Sequence, residues 1–365
     1  MFDRRLITNL DWGFIGLILL TAGIGIANLY SATSGWTPAG TPLYIKQCYW
    51  LGIGLLVLTA VSMFDYRHLL HLGPAAYLIC TAMLIAVFIL GETNMGATRW
   101  LNLGLFNLQP SEIMKPVIVI MLAHYFSRHE HPHGHTLADL MLPGIILLVP
   151  VLLVMKQPDL GTAMLLLFIG ATMALFAGIR PPTLAALCSA CVGIAAGGWF
   201  LLHDYQRARI RTFLDPERDP LGSGYHIIQS KIAIGSGGFW GKGFMQGSQS
   251  QLSFLPERHT DFAFAVFAEE WGLAGALIVL TLYMLLVFRG ILVAHKAANN
   301  FGMYLAIGAT SIIFWHAIVN LGMVMGLLPV VGVPLPLFSY GGTSMVTTML
   351  AAGMILNVGM RRFMF

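Results

Sequence analysis

The chain has 365 residues, of which 57% are hydrophobic and 10% charged, and a formal net charge of +4. Soluble chains carry about 25% charged residues, so this one has too little polar surface to cover a water-soluble body, and lipid must be its main solvent. The basic residues are dispersed and form no clustered face, which excludes nucleic acid as a partner.

A helix that crosses a bilayer needs about 20 apolar residues. Runs at 12–31, 45–63, 72–90, 112–127, 138–155, 161–178, 182–202, 262–288, 302–326 and 341–360 meet or approach this length. They predict an all-α polytopic protein of about ten transmembrane helices: one integral membrane domain over 1–365, with a long loop, 203–261, between the seventh and eighth spans. The fourth and sixth spans are the short ones, and the fourth contains charges. The first run has no small-residue cleavage site and reads as a retained span. Cys48, Cys80, Cys188 and Cys191 lie in or beside apolar runs. Cys188 and Cys191 have CxxC spacing but no acidic or histidine partners, so a buried helix face is expected, not a redox pair or disulfide.

Basic residues set the orientation. With the N-terminus inside, the cytoplasmic segments hold Arg4, Arg5, Arg67, Arg128, Arg180, Arg289, Lys296, Arg361 and Arg362, against Lys46, Arg99 and Lys156 in the short outer loops. Both termini are therefore expected in the cytoplasm and the long loop outside. The cytoplasmic turn His129-Glu130-His131-Pro132-His133-Gly134-His135 can bind zinc adventitiously, but a solvated turn accounts for it.

Ionisable groups at bilayer depth cost roughly 2.5–3.5 kcal/mol each on insertion scales, which makes them candidates for function. Glu112 and Lys115 open the fourth span at i, i+3 and share a helix face; they form either a structural ion pair or a cradle with Lys115 on a phosphate. Arg99 to Leu103 and Gln109-Pro110-Ser111 read as an interfacial segment and a helix start with Ser111 as its cap. Gln157-Pro158-Asp159-Leu160-Gly161-Thr162 repeats that arrangement, with Asp159 as a cap.

At the end of the long loop, Glu257-Arg258-His259-Thr260-Asp261 leads straight into an apolar helix. Thr260 or Asp261 can cap it. Alternatively Asp261 is a general base at the membrane surface, with Arg258 and His259 beside it for an anionic substrate. Glu269 and Glu270 lie deeper and should face a polar cavity or a partner helix. The glycines of Gly235 to Gly243 lack the order of a nucleotide-binding loop and fit close backbone packing of a re-entrant or surface-lying loop. Residues 328–342 are apolar, yet Pro329, Pro334 and Pro336 forbid a helix. Such backbone is tolerated only beside protein or a wet cavity, so this segment should line the same outward site.

Five segments in order (Gln109-Pro110-Ser111-Glu112, Gln157 to Thr162, Tyr225-His226-Ile227-Ile228-Gln229-Ser230, Pro256 to Phe262, and Pro334 to Gly342 with Ser339 and Tyr340) together resemble the SEDS family, the shape, elongation, division and sporulation group. Similarity runs over nearly the whole chain. Glu257 to Asp261 and Gly247 to Gln251 resemble the elongation branch; the division branch usually has a small residue where Arg258 stands. The resemblance implies a peptidoglycan glycosyltransferase that polymerises lipid II into β-1,4 glycan strands on the outer face of the bacterial cytoplasmic membrane during elongation. It implies as partners lipid II and undecaprenyl-pyrophosphate-linked glycan, a class B penicillin-binding protein (a transpeptidase), other elongation-machinery proteins and membrane lipid. The family's essential aspartate maps onto Asp261, and its polar pair at the fourth span onto Glu112 and Lys115.

Joining an α-linked sugar pyrophosphate to a GlcNAc 4-hydroxyl with a β product requires inversion, for which one base suffices. Asp261 is assigned that role. Lys115, Arg99 or Arg258 would offset charge on the pyrophosphate. No cofactor is expected within the chain; magnesium or manganese could assist, but no ligand set is legible. Two rival readings are a flippase for the lipid-linked precursor, which needs a charged path through both leaflets, and a non-catalytic scaffold in which Asp261 is only a cap. The crowding of candidate residues in the outer half favours the enzyme.

Overall fold

The computed structural model describes residues 9–34, 41–94, 97–102, 107–198, 207, 211–218, 223–251, 254–255 and 257–362. The expectations resting on Arg4, Arg5, Leu103, Pro256 and much of 199–222 lie outside them. Each of the ten apolar runs is a helix: α1 Trp12–Thr33, α2 Leu43–Met63, α3 Tyr66–Leu90, α4 Pro110–Arg128, α5 Met141–Lys156, α6 Leu160–Ala177, α7 Pro181–Gly198, then α10 Ala263–His295, α11 Asn300–Val324 and α12 Gly342–Met360. The long loop contributes α8 Ser223–Gly237 and the single turn α9 Ser248–Gln251.

Seven of these (α1, α2, α3, α6, α10, α11 and α12) are long and apolar enough to cross a membrane by themselves. The sixth span is a helix of 18 residues, the length of its predicted run. Shorter still is α5, whose 16 residues rise about 24 Å against the roughly 30 Å of a hydrocarbon core. Short polar side chains start several helices. Asp11 accepts from Phe14 N, Asp65 from Arg67 N and Asn299 from Gly302 N, satisfying amide donors that no helical carbonyl reaches.

The core is made by α4, α11 and α12. Of the apolar windows of α11 and α12, 83% and 78% are buried, against 22% for α2 and α3, whose outer faces are left to lipid. α7 is also peripheral: Cys188 and Cys191 are exposed, which corrects the expectation of a buried face, because in a lipid-facing helix an apolar residue gains nothing by turning inward. Small residues bring helices together, as where Gly353 of α12 meets the Leu58 backbone of α2.

Two features depart from a plain bundle. The interfacial segment before α4 is a small antiparallel sheet, β1 Glu92–Asn94, β2 Ala97–Asn102 and β3 Asn107–Leu108, in the order β1-β2-β3. And α10 breaks at Gly272, where φ is 63° and ψ −161°. The glycine-rich strip after α8 inserts at that break: Leu273 N donates to Gly238 O at 2.9 Å, Ala274 N to Phe239 O at 3.1 Å, Lys242 N to Glu269 O at 3.0 Å and Gly243 N to Glu270 O at 3.0 Å. A Cβ on Gly241 would collide with the Glu270 carbonyl, so the expected close backbone packing is observed. Glu269 and Glu270 avoid lipid by holding this strip. Glu269 accepts from Lys242 Nζ at 2.6 Å, Ser248 Oγ at 3.1 Å and Gln249 N at 3.1 Å, and Glu270 accepts from Ser31 of α1.

Candidate active site

A cavity of about 540 Å³ opens at one end of the bundle, where α4, α6, α10 and α12 begin and α11 approaches its end. Among the predicted site residues, Arg99, Gln109, Glu112, Asp159, Thr260, Asp261 and Tyr340 line it. These residues come from segments up to some 240 positions apart, brought together from β2 and from the starts of α4, α6, α10 and α12.

The start of α10 bears on the cap reading of Thr260 and Asp261. The helix cap is Phe262, with no side-chain capping bond. Neither Thr260 nor Asp261 serves as cap, which corrects that expectation: Thr260 Oγ1 instead donates to Glu257 Oε2 at 3.0 Å. The Asp261 carboxylate is half-buried at the cavity wall, beside Gly332, where an added Cβ would stand 3.5 Å from Asp261 Oδ2. Its main-chain carbonyl accepts from Asn320 Nδ2 at 2.8 Å, and the same amide donates to Val333 O at 2.7 Å. Asn320 thus ties the carboxylate's backbone to the proline-rich segment opposite.

That segment is non-helical between Leu327 and Gly341, and Gly332, Val333, Pro334, Tyr340 and Gly341 line the cavity as expected. Its buried polar groups find protein partners. Gln47 Nε2 of α2 donates to Ser339 O at 3.0 Å, Tyr283 OH to Pro336 O at 2.5 Å, Leu335 N to Ser339 Oγ at 3.1 Å and Tyr340 N to His259 O at 2.9 Å. Ser339 is therefore a brace beneath the wall and does not itself face the cavity.

Lys115 is fully buried. Its ammonium donates to Glu112 Oε1 at 2.5 Å and lies 2.6 Å from His316 Nε2. His316 Nδ1 lies 2.7 Å from Ile312 O, so the network assigns the proton to Nδ1 and leaves Nε2 to accept from lysine. Glu112 and His316 line the cavity while Lys115 stands behind them. The ion-pair alternative for Lys115 is thus the observed one, and the ammonium does not reach the cavity surface as a phosphate cradle would require. Glu112 Oε2 is buried without a protein partner.

The cations on the cavity surface are Arg99 and Lys46. Arg99 donates to Pro158 O and lies 4.0 Å from Asp159. Asp159 caps α6 as expected, accepting from Thr162 N at 3.3 Å and Thr162 Oγ1 at 3.0 Å, and also takes a bond from Gln109 Nε2 at 3.2 Å. It cross-links the starts of α4 and α6. Ser111 is buried and is not the cap of α4, which is Gln109 with Pro110 following; proline there already removes one donor that a serine would satisfy.

Glu257, Arg258 and His259 sit behind Thr260 and off the cavity surface. His259 Nε2 is 3.9 Å from Glu257 Oε2. Burial pushes its imidazole below the usual value; Glu257 pulls it up and Arg258 pushes it further down. Burial also lowers the Arg258 guanidinium. The residues that sequence reasoning missed are Lys46, Trp50, His316 and Asn320. His316 and Asn320 are spaced i, i+4 on α11 and so share one face of the helix.

Comparison with known proteins agrees with this architecture. The cell cycle protein family of FtsW, RodA and SpoVE matches residues 6–363. The chain is similar to the peptidoglycan glycosyltransferase MrdB of Escherichia coli K12, 43% identical over 339 residues that cover 92% of this chain and 91% of that one. Among solved structures it resembles one described as the structural coordination of polymerization and crosslinking by a peptidoglycan synthase complex, with a TM-score of 0.83, 33% identity and coverage of 98% and 99%. It also resembles the crystal structure of RodA of Thermus thermophilus, with a TM-score of 0.72, 29% identity and coverage of 97% and 98%.

Proposed function

The chain belongs to the FtsW/RodA/SpoVE family of cell cycle proteins, and on that premise we propose that its cavity is the place where glycan strands are extended, with Asp261 as the base. The chain is a peptidoglycan glycosyltransferase, and its likeness to MrdB and RodA supports reading it as the elongation type.

The substrate proposed is lipid II, a disaccharide joined through diphosphate to a polyprenyl chain. Beside the polar cavity lies a second hollow of about 520 Å³ walled by Tyr49, Ile53, Ile113 and Val346; the two share Lys46, Trp50, Glu112 and Thr343. A polar head compartment that opens into an apolar groove suits a lipid-linked sugar. Lys46 and Arg99 at the head end offset the diphosphate charge as it leaves. The Asp261 carboxylate takes the proton of the acceptor 4-hydroxyl as its oxygen attacks the anomeric carbon; the new C–O bond forms opposite the breaking bond to diphosphate, inverting the centre.

A divalent cation, magnesium or manganese, is proposed only as a companion of the diphosphate. Asp159 is already held by Arg99, Gln109 and Thr162, and Glu112 by Lys115, so these carboxylates are not a ready metal cage. An ion of this kind is usually bound by one or two carboxylates together with substrate oxygens, so the diphosphate itself would supply most of its ligands.

The outward side is proposed for the cavity because the opposite ends of the helices carry Arg67, Arg128, Arg180, Arg289, Lys296 and Arg361, a basic bias that supports reading that end, and both termini, as cytoplasmic in a bacterial inner-membrane protein. The proposed partner is a class B penicillin-binding protein, which would crosslink the strands made here.

The observation that carries the reading is the position of Asp261: off the helix cap, on the cavity wall, its backbone anchored by Asn320. Purified protein supplied with lipid II and its cognate transpeptidase, the latter blocked by a β-lactam, should yield uncrosslinked strands. Translocation of lipid II without any polymer would support the flippase instead.

A further inference from the structure

The histidine turn between α4 and α5 lies at the end of the bundle away from the cavity and takes no part in the proposed reaction. Its histidines do not behave alike. His129 stacks on Tyr125 with its Nδ1 3.0 Å from Tyr125 O, and His133 is exposed. His131 and His135 instead turn toward Asp139, and one ligand atom from each of the three residues lies within 4.8 Å of the others. His131 Nε2 is 3.7 Å from Asp139 Oδ1.

Two of the three are firmly placed. The His135 main chain bridges to the α6–α7 turn, its N donating to Gly178 O at 2.8 Å and its O accepting from Arg180 N at 3.1 Å. Its ring packs edge-on against Phe126 at 5.4 Å. Asp139 Oδ2 accepts from Thr136 N at 2.8 Å and Thr136 Oγ1 at 2.7 Å, which holds Oδ1 toward the histidines. His135 is 1% exposed, yet its Nδ1 has no hydrogen-bond partner. Leaving a buried polar atom unpaired costs about 1–3 kcal/mol, and a ring nitrogen in this setting is suited to a ligand.

We propose that His131, His135 and Asp139 form a binding site for one zinc-class divalent ion. Two imidazoles and a carboxylate are a donor set that suits zinc, with water completing four-coordination. Donors around a tetrahedral zinc stand about 3.3 Å apart, so the three ligand atoms, within 4.8 Å of one another, have to draw together by up to about 1.5 Å, for which the exposed His131 side chain leaves room. The ion would staple the α4–α5 turn at the point where that turn already holds the α6–α7 turn.

The test uses the full-length protein, without a histidine tag, in lipid nanodiscs, titrated with zinc against a chromophoric chelator. One equivalent should bind. His131→Gln and Asp139→Asn should weaken binding at least tenfold, and His133→Gln should leave it unchanged. Cobalt(II) substituted for zinc should show the intense visible bands of a four-coordinate site in the wild type and lose them in His131→Gln. Because His131 is exposed, its replacement does not put folding at risk. Binding that falls equally in His133→Gln would mark an adventitious histidine run and overturn the proposal, as would the absence of stoichiometric binding in the wild type.

Discussion

The side-chain amide of Asn320, on α11, donates to the main-chain carbonyl of Asp261 at 2.8 Å, across 59 positions of sequence. With its second bond to Val333 O, one amide fixes the distance between the proposed base and the opposite wall of the cavity. Asn320→Leu removes both bonds and leaves two carbonyls without that donor, a loss of about 1–3 kcal/mol each where no water replaces it. Because misplacing a reacting group by about 1 Å can cost 10²-fold in rate, strand synthesis should fall well before the protein fails to insert. Polymerisation rate measured beside the melting temperature checks this: the rate should drop by more than tenfold while a folded transition persists.

The Glu112–Lys115 pair is buried, and removing one partner of a buried pair is worse than removing both. Lys115→Met should destabilise by about 3–5 kcal/mol by stranding the carboxylate. The double substitution Glu112→Gln with Lys115→Met should recover much of that. Thermal unfolding of the wild type, both single variants and the double variant in one detergent gives the coupling.

Gly241→Ala should be among the most damaging single-methyl changes in the chain. Gly241 has φ of 81°, where an L side chain is strained, and its Cβ would meet the Glu270 carbonyl at the break in α10. The strain alone costs about 1–3 kcal/mol. Gly235→Ala, which meets nothing within 4 Å, is the matched control and should be near neutral by melting temperature.

Acidification should weaken the fold near the cavity mouth. Burial holds the folded-state imidazoles of His259 and His226 below their usual value, so on acidification the unfolded chain takes up protons first. Stability is therefore complete above the ordinary histidine range and lost as pH falls through and below it. Glu257 raises both imidazoles, so Glu257→Gln should steepen the acid loss, and His259→Gln should flatten it, in melting temperature followed against pH.

Much of the bundle was legible in the sequence because apolar length is a local property: each of the ten runs could be counted without knowing its neighbours. Asp261, Glu112 and Arg99 were legible for a related reason, since a charge beside an apolar helix stands out wherever it occurs. The caps were harder. Ser111, Thr260 and Asp261 all have the right chemistry for a cap, and only the helix geometry shows that Gln109 and Phe262 occupy those positions. Least legible were contacts over long separations. Nothing local to Lys115 indicates that His316, 201 positions away, sits at 2.6 Å from its ammonium, or that the Glu269 carboxylate holds a loop and that of Glu270 meets Ser31 of α1.

The most direct test of the account is glycan-strand synthesis by Asp261→Asn, assayed with lipid II and the cognate transpeptidase beside the wild type. Asparagine keeps the shape of the side chain but removes its basicity, and general-base catalysis typically contributes 10²–10⁴-fold. The account predicts a fall of at least about 10²-fold with an unchanged melting temperature and unchanged association with the partner. Strand synthesis within about twofold of wild type would show that no proton passes through this carboxylate.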